Sequence, residues 1–353
     1  MTTIKIILTS AILITAFILI ILYKRSENTL KLCFGSLPLN CVKIDKGHIL
    51  VVGRTGSGKT NSVKVLIEEI VKKHRQVSIL VLDWAGEYDI EGFLKLKPSE
   101  NFRFNIASTF SDDYDQFVEF LVDVFSSIYE LTEPQAYMLY KSLEKLSPPI
   151  KLHDIIDSIE NLEVRNYKEI DIKAALLRRL EPLNNGILGK VLNGNTDFDI
   201  FLNKNVIIDL SSIKSIKHKI LLTLIILRKI YDYNLKRGFS DNINHITVIE
   251  EAWTVLPYRR REDPPSIGER LFLELRKYGE CLVAVTQSIT DVSERVVKNV
   301  NLIIVHRTLQ KDLEILGKYF SEQLKLLPKK VGEALIITED MEIKKIKVRK
   351  SKT

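Results

Sequence analysis

Between Gly53 and Thr60 the chain reads Gly-Arg-Thr-Gly-Ser-Gly-Lys-Thr, and these residue types at this spacing suit one task, holding a polyphosphate. Glycines at 53, 56 and 58 let the backbone wrap so that successive N–H groups point at phosphate oxygens. The Lys59 ammonium can reach the β- and γ-phosphates, and the Thr60 hydroxyl can ligate Mg²⁺. The pattern is informative only between a strand and a helix, and the sequence supplies both. Gly47–Val52 is a short apolar run fit for a buried strand, and Val63, Leu66, Ile67, Ile70 and Val71 then recur at helical spacing. The helix N-terminus then faces the phosphates. Gly53, Arg54, Thr55, Gly56, Ser57, Gly58, Lys59 and Thr60 are the expected nucleotide contacts, with a nucleoside triphosphate and Mg²⁺ as ligands.

A phosphate loop serves kinases, GTPases, transporters and motors alike, so the second half of the chain must discriminate. His245–Ile249 is an apolar strand that runs into Glu250, Glu251, Ala252 and Trp253. A hydrolytic site needs one acid in the Mg²⁺ shell and a second group to polarise water. Glu250 fits the first role and Glu251 the second. Leu282–Val285 is another apolar strand, and it leads to Gln287, whose amide can sense the γ-phosphate or orient water. No Asn-Lys-x-Asp guanine signature and no Leu-Ser-Gly-Gly-Gln transporter signature occurs. The remaining reading is an ATPase.

With these residues in place the chain resembles the HerA/FtsK superfamily of RecA-like motor ATPases over about residues 47–340. Five stretches carry the resemblance, in order: the phosphate loop, Asp83-Trp-Ala-Gly-Glu87-Tyr, Val248-Ile-Glu-Glu-Ala-Trp253, Arg276-Lys-Tyr-Gly leading to Gln287-Ser, and Leu327-Pro-Lys-Lys-Val-Gly-Glu-Ala-Leu335. The resemblance implies a mainly parallel α/β sheet, a homo-hexameric ring, duplex DNA as cargo, and ATP hydrolysed at subunit interfaces. It implies that Arg276 completes the site of a neighbouring subunit, with Arg307 as a second candidate. Glu250 departs from the usual Asp, which lengthens the arm of the metal ligand. Glu87, in the acidic turn, is suited to water or metal, while Asp83 and Gly86 suit a turn and helix cap.

The elements around these residues organise the rest. Ile6–Tyr23 is uncharged and apolar, about 27 Å of helix and close to the thickness of a bilayer's hydrocarbon. Lys24 and Arg25 follow it, so the positive-inside rule expects a single-pass membrane anchor with the ATPase body in the cytoplasm. Of the 52 Lys/Arg and 45 Asp/Glu, residues 1–46 and 341–353 together take 12 and 3, leaving 40 against 42 in residues 47–340. The bulk charge of the core thus says nothing about a polyanionic partner, and any DNA contact must come from a local run. Arg259, Arg260 and Arg261 form the densest one. Three cysteines without Cys-x-x-Cys spacing argue against a metal site or redox pair and fit a reducing compartment.

Between these landmarks Phe117, Phe120, Leu121, Val124 and Phe125 line one helical face, and Thr132-Glu-Pro-Gln135 is a capping box. The expected layout is an anchor (1–25), a linker (26–46), a RecA-like core (47–111 and 201–340) interrupted by an all-α insertion (112–200), and a basic tail (341–353). The tail, with Ile343, Ile346 and Val348 among lysines, reads as an edge strand or as a basic arm. The function expected is a membrane-anchored DNA translocase. The second reading is an ATPase powering protein export or pilus assembly in a type IV secretion-like system.

Overall fold

The computed structural model describes residues 29–35, 41–98, 100–107, 114–260, 262–320, 328–340 and 342–353. The expected anchor at residues 6–23 lies outside them, as does Arg261. Among the described residues no helix is long and apolar enough to cross a membrane.

A short hairpin, β1 (Leu30–Cys33) and β2 (Cys41–Ile44), precedes a nine-stranded sheet. The sheet holds β3 (His48–Val52), β4 (Ser78–Asp83), β5 (Leu94–Leu96), β6 (Val206–Asp209), β7 (His245–Ile249), β8 (Glu280–Thr286), β9 (Val300–Val305), β10 (Glu333–Thr338) and β11 (Ile343–Lys347). Their order is β11-β10-β9-β3-β8-β7-β4-β6-β5. From β9 to β5 all neighbours are parallel, and β10 and β11 complete one edge antiparallel. The central strands are buried along their whole length, as strands covered on both faces must be.

Strand side chains alternate between two cores. Ile49, Val51, Ile79 and Val81 face helix α1 (Lys59–Lys73) and the hairpin, while Leu50, Val52, Leu80 and Leu82 face the other side. That other core is continuous with the helices α2 (Tyr114–Tyr129), α3 (Glu133–Leu143), α4 (Leu152–Glu160), α5 (Tyr167–Asn184) and α6 (Ile187–Leu192). It also takes in α7 (Ile216–Arg237) and α8 (Ile267–Leu275). The inserted helices therefore share the sheet's core rather than forming one of their own. Two short helices, α9 (Glu294–Lys298) and α10 (Gln310–Phe320), flank β9.

The stretch before the sheet differs from the sequence reading, and the tail takes one of the two forms expected of it. The stretch expected as a linker contains the hairpin, because Leu30, Leu32, Phe34, Val42 and Ile44 alternate and bury one face on the α1 side of the sheet. Cys33 and Cys41 face each other in its register and are joined by a disulfide, a pairing that the sequence reading, with no Cys-x-x-Cys spacing to go on, did not include. The tail is an edge strand and not a free basic arm: β11 runs along β10, and the residues after it dock on α1. There Asn61 donates to the Arg349 carbonyl at 2.8 Å and accepts from the Ser351 N–H at 2.9 Å, and Arg349 pairs with Glu68 and Glu69 at 2.5 and 3.4 Å.

Candidate functional site

The phosphate loop links the end of β3 to the start of α1, as the motif requires. Gly56 adopts φ 73° with nothing within 4 Å of where a Cβ would sit, so glycine is needed there for the backbone alone. At Gly53 the need is space, because a Cβ would meet the Cβ of His306 at 2.6 Å and the Ser57 hydroxyl at 2.7 Å. His306, at the end of β9, is buried beneath the loop with one ring nitrogen 2.8 Å from the Ser62 hydroxyl and the other 3.0 Å from the Glu333 carbonyl. Burial pushes its pKa down to about 4, so it braces the loop as a neutral ring. The Ser57 carbonyl accepts from the Gly332 N–H at 3.2 Å, which ties the loop to the turn before β10. Lys59 donates to the Gly53 carbonyl at 2.6 Å, and its burial lowers its pKa against the pull of Glu250, Glu251 and Glu87.

A cavity of about 350 Å³ opens above the loop. Thr55, Gly56, Gly58, Lys59 and Thr60 line it from one side, and Asp83, Glu87, Glu250, Glu251 and Gln287 from the other. Gly53, Arg54 and Ser57, also expected as contacts, do not line it. Ser57 is buried with its hydroxyl lacking a partner, and Arg54 is exposed with its N–H bound to the Arg307 carbonyl at 2.9 Å. The sequence-predicted residues Lys59, Thr60, Glu250, Glu251 and Gln287 thus meet at one place, brought there by the three adjacent parallel strands β3, β8 and β7, whose C-terminal ends lie side by side.

The acidic turn after β4 builds much of that wall. Asp83 accepts from the N–H groups of Ala85, Gly86 and Glu87 through one oxygen and from Tyr88 through the other, at 2.8 to 3.2 Å. Its carboxylate is spent on folding the turn. The turn in return presents Glu87 to the Thr60 hydroxyl at 3.0 Å and Tyr88 to Glu250 at 2.5 Å. Burial first, and then the carboxylates of Asp83, Glu87 and Glu251, push Glu250 up to about 7 against the Tyr88 hydrogen bond. Crowded acids beside a triphosphate's binding loop are what a divalent cation relieves. Among the described residues no three His, Cys, Asp or Glu are grouped to hold a metal unaided. Mg²⁺ in such sites takes one or two side chains and completes its shell with phosphate oxygens and water, and Thr60 with Glu250 fits that need.

Glu251 sits in the left-handed region at φ 49°, a conformation that bulky residues adopt only where the surroundings impose it. Its carboxylate accepts from the Trp253 indole at 2.8 Å and from the Gln287 amide at 3.4 Å. The segment after Gln287 is anchored by Asp312 of α10, a buried carboxylate that binds the Ser288 hydroxyl, the Ile289 N–H and the Thr308 hydroxyl. Tyr88, Trp253 and Asp312 had no assigned role in the sequence reading. The signal for Tyr88 was its place beside Glu87, since a buried tyrosine hydroxyl requires a partner.

Arg276 is not with these residues. It lies past the end of α8, in the turn Arg276–Tyr278 that enters β8, whereas Gln287 follows the opposite end of that strand. The strand is 7 residues long, so about 20 Å separates the two ends. Arg307 is at the loop's own edge but is exposed, and among the described residues no arginine lines the cavity. In the basic run, Arg260 is exposed and Arg259 is half-buried, donating to the Pro264 carbonyl at 3.1 Å. The neighbouring Tyr258 N–H binds the Asp291 carbonyl at 2.8 Å, which joins this loop to the segment that follows Gln287.

Comparison with known proteins places these features in a family. Residues 35–230 match the central domain of the helicase HerA, and residues 152–327 match the TraG P-loop domain. A probable helicase of Methanocaldococcus jannaschii is 26% identical over 357 residues, covering 90% of this chain and 67% of that protein. The DNA import protein CedB of Sulfolobus acidocaldarius is 27% identical over 272 residues, 72% of this chain but 42% of that protein. The fold is similar to that of VirB4 of Thermoanaerobacter pseudethanolicus, with a TM-score of 0.68 at 14% identity over 91% of this chain and 97% of that one.

Proposed function

The chain belongs to the helicase HerA central-domain family and is a P-loop ATPase, and we propose that it spends ATP hydrolysis on moving DNA, as a ring of identical subunits held at a membrane by residues 6–23. One observation carries the ring. The cavity gathers a lysine, a threonine hydroxyl, paired carboxylates and a glutamine, yet among the described residues no arginine lines it, and Arg276 stands beyond the opposite, N-terminal end of β8. A guanidinium on the γ-phosphate oxygens speeds phosphoryl transfer by about 10³–10⁵. A second subunit that presents its Arg276 edge to this cavity supplies one.

DNA is favoured as cargo because similar proteins are named as helicases and as a DNA import protein. The loop at 258–261 offers a contact, and its hydrogen bond to the Gln287 segment offers a route from DNA to the γ-phosphate. Within the ATPase, Lys59 would hold the phosphates, Thr60 and Glu250 would hold Mg²⁺, and Glu251 would take the water's proton as Gln287 orients it. Mg²⁺ would supply charge neutralisation at the phosphates.

The contact is testable through its electrostatics. Changing Arg259, Arg260 and Arg261 together to Ala should weaken duplex binding about equally across sequences. It should also flatten the slope of log K against log salt by about 3, roughly one per lost phosphate contact. Fluorescence anisotropy over a salt series measures both. Parent affinity and slope in the variant would make the loop solvated surface.

A further inference from the structure

We propose that Tyr88 is the positioning residue of the metal-binding carboxylate, its hydroxyl taking one oxygen of Glu250 so that the other is presented to the ion held with Thr60. The proposal rests on the reading of Thr60 and Glu250 as the Mg²⁺ shell.

The need arises from the residue at 250. A glutamate arm has one more rotatable bond than an aspartate, so fixing it costs more rotamer freedom. Left to itself Glu250 would sample positions away from Thr60, pushed by Asp83, Glu87 and Glu251 around it. Tyr88 removes that freedom, because it is itself immobile. Its ring is fully buried in the core on the α1 side of the sheet, with the Lys64 ammonium 5.8 Å from the ring centroid. Its N–H is held by Asp83 at 2.9 Å and its carbonyl by Lys95 at 3.1 Å. The hydroxyl therefore arrives at Glu250 from a rigid frame, 2.5 Å away. One turn thus serves both halves of the shell, Glu87 engaging Thr60 and Tyr88 engaging Glu250.

Loss of such a supporting partner typically costs ten- to a hundredfold in metal affinity. The experiment measures ATPγS affinity of the full chain with and without Mg²⁺, for the parent and for Tyr88→Phe, Glu250→Gln, Glu250→Asp and Tyr88→Phe/Glu250→Asp. Tyr88→Phe should reduce the gain in affinity from Mg²⁺ about tenfold while affinity without Mg²⁺ stays within about twofold. Glu250→Gln should remove most of that gain. In the Glu250→Asp background Tyr88→Phe should change nothing, since the shorter arm does not reach the hydroxyl. A parent-like Mg²⁺ gain in Tyr88→Phe, beside a lost gain in Glu250→Gln, would overturn the role of Tyr88 and leave the metal assignment standing. An equal loss in the Asp background would also overturn it, as damage unrelated to positioning. A full gain in Glu250→Gln would remove the metal assignment itself, and the proposal with it.

Discussion

Arg276→Ala and Glu251→Gln should each abolish ATP turnover in pure preparations, and a mixture allowed to exchange subunits should regain part of it. The transferred phosphoryl group spreads negative charge over its oxygens, and a well-placed guanidinium is worth about 10³–10⁵ in rate. Arg276 is too far from the cavity of its own subunit to act there, because the whole length of β8 intervenes. In a mixed ring some sites pair an intact Glu251 with a neighbour's intact Arg276, and those sites turn over. An arginine acting within its own subunit would give no such recovery. Mixed assembly is checked first by differential tagging. With mixing shown and no activity regained, the trans role passes from Arg276 to Arg307, whose backbone already touches the loop.

Glu251→Gln should keep nucleotide binding and lose turnover by about 10² or more, the scale expected of a proton-accepting group. Lys59→Ala should lose binding as well, because the phosphate charge is left without its partner inside a site walled by four carboxylates. Equilibrium binding of ATPγS beside steady-state turnover separates the two outcomes. Normal turnover in the Glu251 variant would shift the role to Glu87, which lines the same wall.

Much of this site was legible because its parts are local. The phosphate loop announces itself by glycine spacing between a strand and a helix, and Glu250, Glu251 and Gln287 each follow an apolar strand. Parallel strands then bring their C-terminal ends to one edge, so residues far apart in sequence meet. What escaped were contacts that depend on the completed fold. Tyr88 reaches Glu250 across 162 positions, and nothing periodic marks the pair. Asp312 steadies the Gln287 segment from a helix beyond the next strand. The three-residue strand β5 is half-exposed at the sheet's edge and too short to show alternation. Cys33 and Cys41 pair because a hairpin register sets them opposite, a fact that spacing alone does not contain.

The ATP turnover of the protein lacking residues 1–25, measured with and without duplex DNA across a salt series, tests the central claim most directly. At low salt, duplex DNA should raise the rate several-fold. The gain should fade as salt rises, because phosphate contacts bind by releasing counterions. A rate indifferent to both duplex and single-stranded DNA at low salt would contradict the account and identify protein, not DNA, as the cargo to test.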